Sequence, residues 1–122
     1  MSVAAVALCE IRKTYGSIRA LDGFNVSVPL GAVCGLVGPN GAGKTTALGV
    51  IAGLIRADSG TIDLLGDGPF RAARHAGRIT TLPQDCALNP HAPVATLLRY
   101  YGRLQGLAGP EAARETDRVL DL

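Results

Sequence analysis

The residues best suited to chemistry form one unbroken run, Gly38-Pro39-Asn40-Gly41-Ala42-Gly43-Lys44-Thr45. It satisfies the pattern GxxxxGK[ST] in full. A loop that wraps a phosphate must turn several backbone N–H groups inward. The glycines at 38, 41 and 43 permit the unusual dihedrals this needs and leave no Cβ in the way. The amides of Asn40 and Ala42 belong to the same cradle. Lys44 brings an ammonium to the β- and γ-phosphates, Thr45 a hydroxyl to Mg2+, and Thr46 a second hydroxyl to a nearer phosphate. This chemistry implies a nucleoside triphosphate.

Such a loop works only if a strand feeds it and a helix leaves it, so that the helix N-terminus faces the anion. Val33–Val37 (Val-Cys-Gly-Leu-Val) reads as that strand, short and apolar enough for burial on both faces of a parallel sheet. Lys44–Ile55 reads as the helix, with Ala47, Leu48, Ile51, Leu54 and Ile55 on one face. Upstream, Val3–Ile11 reads as a strand and Arg12 to Gly23 as polar and turn-rich. Phe24, Val26 and Val28 share one face of a further strand. Downstream, Asp58-Ser59-Gly60 marks a turn before a strand at Thr61–Leu65. A short helix is expected near Arg71–Gly77 and another strand at Arg78–Leu82. Beyond Ala92 the pattern turns helical, with Thr96–Leu107 and Pro110–Leu122 separated by Gly106–Gly109. Val119, Leu120 and Leu122 supply an apolar edge to the second of these.

The 122 residues carry 12 Lys+Arg against 10 Asp+Glu, a net charge of +2, so charge gives no argument for nucleic acid or anionic lipid. Hydrophobic residues are 48% and aromatics 4%, which excludes a disordered chain. No apolar stretch nears the roughly 20 residues of a membrane span, and the N-terminus has no signal-peptide pattern. Cys9, Cys34 and Cys86 form no metal or CxxC spacing and read as small apolar fillers suited to a reducing compartment. His75 and His91 read as surface histidines, and Asp22 and Asp85 as solvated loop acids.

The flanks of the loop narrow the choice among nucleotide-binding families. Gly35 to Thr46 closely resembles the Walker A region of ABC transporter ATPases. Lys13-Thr14-Tyr15-Gly16 resembles the family's upstream aromatic segment, Ile55 to Gly66 its turn and strand after the loop helix, and Leu82-Pro83-Gln84-Asp85 its Q-loop. Tyr100 to Leu107 is similar to the helical subdomain of the drug- and polymer-exporting branch. The resemblance covers nearly the whole chain, with its segments in order. Ala32 and Ala57 depart from it, where Glu and Pro are common.

The resemblance implies an α/β fold: a P-loop NTPase core with an antiparallel β subdomain and the start of a helical subdomain. Residues 1–91 would form the β subdomain and core, and 92–122 the start of the helical part. Tyr15 would stack on adenine, and Gln84 would touch Mg2+ or the attacking water. ATP and Mg2+ are the implied ligands. A transmembrane permease and a second ATPase subunit are the implied partners, with no nucleic acid. The implied setting is cytoplasmic, at the inner face of the plasma membrane.

These residues contain no LSGGQ-type signature, no apolar strand ending in Asp-Glu and no switch histidine. The chain therefore reads as the N-terminal half of an ATPase domain with an incomplete sheet. It is expected to lack turnover alone and to be marginal or aggregation-prone. Two other readings stand beside the exporter ATPase: a short nucleotide-binding, non-hydrolysing module that competes for a partner, and an ABC-fold ATPase serving a function other than transport. A GTPase lacks support, because no NKxD-type guanine motif is present.

Overall fold

The computed structural model describes residues 4–82, 84–85 and 88–121. It divides into two compact units, 1–74 and 75–122. The first is built on a three-stranded antiparallel sheet of order β2-β1-β3, where β1 is Ala4–Tyr15, β2 is Ile18–Pro29 and β3 is Ser59–Leu64. Helix α1, Lys44–Ile51, packs on β2.

The segment expected to be turn-rich, Arg12 to Gly23, instead forms the far half of a continuous β1–β2 hairpin. Tyr15 pairs with Ile18, so only Gly16 and Ser17 turn the chain, with Gly16 at φ 59. Positive φ at the first central residue alone is the type II′ arrangement that suits twisted strands. The polar side chains that suggested a loop pair with one another. Asp22 lies in β2, not in a loop, and accepts hydrogen bonds from Arg12 Nε at 3.3 Å and Arg19 Nη1 at 3.2 Å.

A bulge explains why β1 alternates only loosely. Leu8 pairs with Val26 and Ile11 with Phe24, so β1 carries one extra residue there. That residue is Glu10, at φ 50, whose N–H donates to Asn25 Oδ1 at 2.9 Å while Asn25 Nδ2 donates to Glu10 Oε1 at 2.8 Å. The extra residue resets the alternation, so Leu8 and Ile11, three apart, are both buried on the core side. Opposite the bulge, Gly60 at φ 104 has no room for a Cβ, which would lie 2.6 Å from Glu10 O. The core joins Leu8, Ile11 and Leu21 of the sheet to Ala47 and Val50 of α1, with Phe24 and Val26 packed against it as their alternation predicts.

Two expected strands are corrected. Val33–Val37 and Arg78–Leu82 have no regular secondary structure. An extended segment becomes a strand only when a neighbour takes its backbone hydrogen bonds, and no described strand pairs with either. Nor is Val33–Val37 buried on both faces. Cys34 and Leu36 turn toward Val26, Val28 and Ile51 around a small cavity of about 90 Å³, whereas Val33 and Val37 are 102% and 93% exposed.

Helix α1 stops four residues short of expectation. Its C-cap is Ala52 and Gly53 follows at φ 71. Gly53 N–H donates to Val50 O at 3.2 Å and Leu54 N–H to Gly49 O at 2.9 Å. These are the two bonds of a Schellman motif, which satisfies the last carbonyls. The buried face is consequently Ala47 and Val50 with Ile51 partly covered, while Leu48 and Leu54 point outward.

In the second unit, α2 is Ala72–His75, straddling the division, α3 is Val94–Leu104 and α4 is Gly109–Leu120. Helix α3 ends by the same device as α1: Gly106, at φ 97, donates to Arg103 O, and Leu107 to Gly102 O. Helices α3 and α4 pack as a hairpin. Gly102 faces Ala112 across this contact, where a Cβ would just reach van der Waals distance of Ala112 Cβ, 3.4 Å. The inner edge of α4 is Ala112 and Thr116; Val119 and Leu120 remain about half exposed, and Leu122 lies outside the described residues. His75, expected at the surface, is fully buried. Cys9 and Cys34 are exposed free thiols, not fillers, and Cys86 lies outside the described residues. No helix among the described residues is long and apolar enough to cross a membrane.

Candidate nucleotide-binding site

The glycine-rich loop joins the Val33–Val37 segment to α1. Its last residue, Gly43, caps the helix at φ 85, and its carbonyl accepts the first helical bond, from Ala47 N–H at 2.8 Å. Gly43 is required twice over. Its φ is in the left-handed region, and a Cβ would collide with Ala20 O and lie 2.9 Å from Leu21 Cδ2. The backbone of β2 thus presses on the loop and fixes where α1 begins. Gly41, at φ 83, needs glycine for its dihedral alone, because nothing lies within 4 Å of its missing Cβ.

Lys44, Thr45 and Thr46 form the first turn of α1. Lys44 Nζ arches back over the loop and donates to Gly38 O and Pro39 O, each at 2.6 Å. The ammonium is therefore already held at the mouth of the cradle by neutral carbonyls. Phosphate oxygens are stronger acceptors, since charge-assisted hydrogen bonds are about twice as strong as neutral ones. Thr45 is exposed beside it and Thr46 partly buried. No acidic residue occupies the first turn of α1, so nothing there opposes an incoming anion. The chemistry of the site fits a triphosphate: inward-capable amides, a helix N-terminus, one mobile cation and two hydroxyls.

Tyr15, the expected base platform, closes β1 at the hairpin end and is 46% exposed. It belongs to the same unit as the loop. Lys13 Nζ lies over its ring, 5.4 Å from the centroid. Lys13 also donates to Asp58 Oδ1 at 2.9 Å, and Thr14 N–H donates to Asp58 Oδ2 at 2.7 Å. These two donors, Lys13 first, hold the Asp58 carboxyl below the usual carboxylate range. The Asp58 contacts were not readable from sequence. Both segments stood out there, but nothing in their spacing pairs residue 13 with residue 58.

Gln84 is exposed in a turn of the second unit, and Pro83 beside it lies outside the described residues. Among the described residues no cluster of three His, Cys, Asp or Glu could hold a metal ion.

A family model described as ABC transporter matches residues 21–121. The chain is 41% identical over 115 residues to a Nod factor export ATP-binding protein I of Burkholderia orbicola (strain AU 1054), covering 93% of this chain and 38% of that protein. It is 37% identical over 122 residues to the daunorubicin resistance ATP-binding protein DrrA3 of Streptomyces coeruleorubidus, covering 99% and 39%. The chain thus spans well under half the length of these relatives. Among solved structures, the ATP-binding subunit of an ABC transporter superposes with TM-score 0.77 at 24% identity, over 96% of this chain and 49% of that one, a likeness of fold. A nucleotide-free ATP-binding cassette from an ABC transporter superposes with TM-score 0.52 at 36% identity, over 54% of this chain and 26% of that one. On the strength of the family match and the Gly38–Thr46 loop it contains, the chain belongs to the ABC transporter family.

Proposed function

We propose that this chain is the nucleotide-binding part of the ATP-binding subunit of an ABC exporter. Residues 1–91 would serve as β subdomain and P-loop core, and 92–122 as the start of the helical subdomain. The observation that carries this is the loop itself: Gly43 clamped between β2 and α1, with Lys44 poised over the carbonyls of Gly38 and Pro39. In this reading the loop amides and Lys44 hold the β- and γ-phosphates of ATP, and Thr46 a nearer phosphate. Tyr15 stacks on the base. Thr45 is the candidate Mg2+ ligand of the loop, and Gln84, by the family resemblance, would touch Mg2+ or the attacking water. Mg2+, when bound, would neutralise charge between the β- and γ-phosphate oxygens. The export role rests on the relatives named for Nod factor export and daunorubicin resistance. Coupling would run through a separate membrane subunit, with a second ATPase subunit completing each site at the cytoplasmic face of the membrane.

Titration of the chain with Mg-ATP by calorimetry tests this. Binding is expected, and Lys44→Ala should weaken it at least about tenfold, the loss of one charge-assisted contact to phosphate. Equal affinity in the variant would remove the basis for the reading. These 122 residues hold no LSGGQ-type signature and no apolar strand ending in Asp-Glu to help hold Mg2+ and orient water, so no steady phosphate release is expected from them alone. Magnesium-dependent turnover abolished by Lys44→Ala would contradict that.

A further inference from the structure

Tyr15 stands at the tip of a two-residue hairpin and is half exposed, so its own strand does little to fix its ring. What lies beside it comes from a distant part of the chain. Asp58 grips the end of β1 three times: its N–H donates to Arg12 O at 2.9 Å, and its carboxylate accepts Thr14 N–H at 2.7 Å and Lys13 Nζ at 2.9 Å. The Lys13 side chain is only 17% exposed, and its ammonium lies over the Tyr15 ring. A lysine stem this covered has lost much of its rotamer freedom, and the carboxylate determines where its charge sits. A cation held over one face of an aromatic ring is attracted to it and leaves the other face to a flat partner.

We infer that Lys13 and Asp58 are positioning residues, an ion pair that orients the Tyr15 ring for stacking on the nucleotide base. The proposal rests on the reading of Tyr15 as the base platform. It adds a link between the base and the segment that follows the loop helix, because Asp58 lies only a few residues beyond the end of α1.

The test compares two probes, Mg-ATP and inorganic triphosphate with Mg2+, by calorimetry on the full chain. Triphosphate engages the loop but has no base, so the ratio of the two affinities isolates stacking from any general loosening. Tyr15→Ala comes first: it should weaken ATP by about fivefold or more, the lower end of a base–aromatic stack, and leave triphosphate unchanged. Asp58→Asn, which keeps an acceptor for Thr14 N–H, and Lys13→Met, which keeps the stem, should each weaken ATP about two- to fivefold with triphosphate unchanged. Neither should have a further effect in a Tyr15→Ala background. Lys13→Arg should retain most of the ATP affinity, since a guanidinium also stacks on aromatic faces. If Tyr15→Ala leaves the ratio unchanged, the platform reading falls and the proposal with it. If Tyr15→Ala changes the ratio but Asp58→Asn and Lys13→Met do not, the proposal alone falls. Equal loss for both probes in the Asp58 and Lys13 variants would assign the pair to structure only and overturn it.

Discussion

At the scale of single residues, the glycines of the loop separate two physical demands. Gly41 and Gly43 both adopt positive φ, but only Gly43 is pressed against β2. Gly41→Ala should therefore cost about 1–2 kcal/mol, the backbone penalty alone. Gly43→Ala should cost about 2–4 kcal/mol, because overpacking against Ala20 O adds to it. Denaturant unfolding of the two variants checks this, and equal losses would mean that β2 does not bear on the loop. The acidic residues of the sheet make a separate prediction. Hydrogen bonds from Arg19 and then Arg12 lower the pKa of Asp22 below its ordinary 3.8, as Lys13 and then Thr14 do for Asp58. A group whose folded pKa is depressed contributes stability above its unfolded pKa and loses it as pH falls through the folded value. Melting temperature should thus decline as pH is lowered below about 4, and less steeply in the Asp22→Asn variant. An unchanged acid limb in that variant would show that the pair with Arg19 and Arg12 does not form in solution.

At the scale of elements, helix ends were the least legible feature, and the reason is local. The apolar spacing from Ala47 to Ile55 suggests one continuous helical face, yet Gly53 stops α1 because its left-handed φ lets two orphan carbonyls be satisfied at once. Gly106 ends α3 in the same way, and there the glycine cluster had already marked the break. The hairpin was misread for the opposite reason: Arg12, Arg19 and Asp22 look like loop residues one at a time, and only strand pairing makes them mutual partners. The two C-terminal glycines differ in a testable way. Gly106 has open space where a Cβ would go, whereas at Gly53 a Cβ would lie 2.5 Å from Phe70 Cδ1. Gly106→Ala should cost about 1–2 kcal/mol, and Gly106→Asn less, because asparagine tolerates this conformation. Gly53→Ala should exceed both. Thermal or urea unfolding orders the three, and a Gly53→Ala variant no worse than Gly106→Ala would mean that Phe70 does not pack there.

At the scale of the whole chain, the antiparallel β subdomain followed from the family resemblance alone, with half of its β1–β2 hairpin read as turns, whereas the GxxxxGK[ST] pattern was legible because it is written in consecutive residues. Val33–Val37 was not, because whether an apolar run becomes a buried strand depends on what pairs with it. Its composition is that of a central strand. Its environment gives it one side where Cys34 and Leu36, themselves still partly exposed, line a small cavity with the sheet and α1, and one open side where Val33 and Val37 meet water. An apolar segment with exposed valines and no strand partner among the described residues is a template for pairing with another chain. The chain should therefore self-associate as its concentration rises, seen as a growing weight-average mass in sedimentation velocity. Replacing Val33 and Val37 together by threonine keeps the β-branch and removes apolar surface only from the open side, so it should lower that association without lowering the melting temperature. Leu36→Thr should do the reverse, since Leu36 lines the cavity. A wild-type chain that stays monomeric at all concentrations, or a Val33→Thr, Val37→Thr variant that associates as strongly as the parent, would show that this segment is not the route by which copies meet.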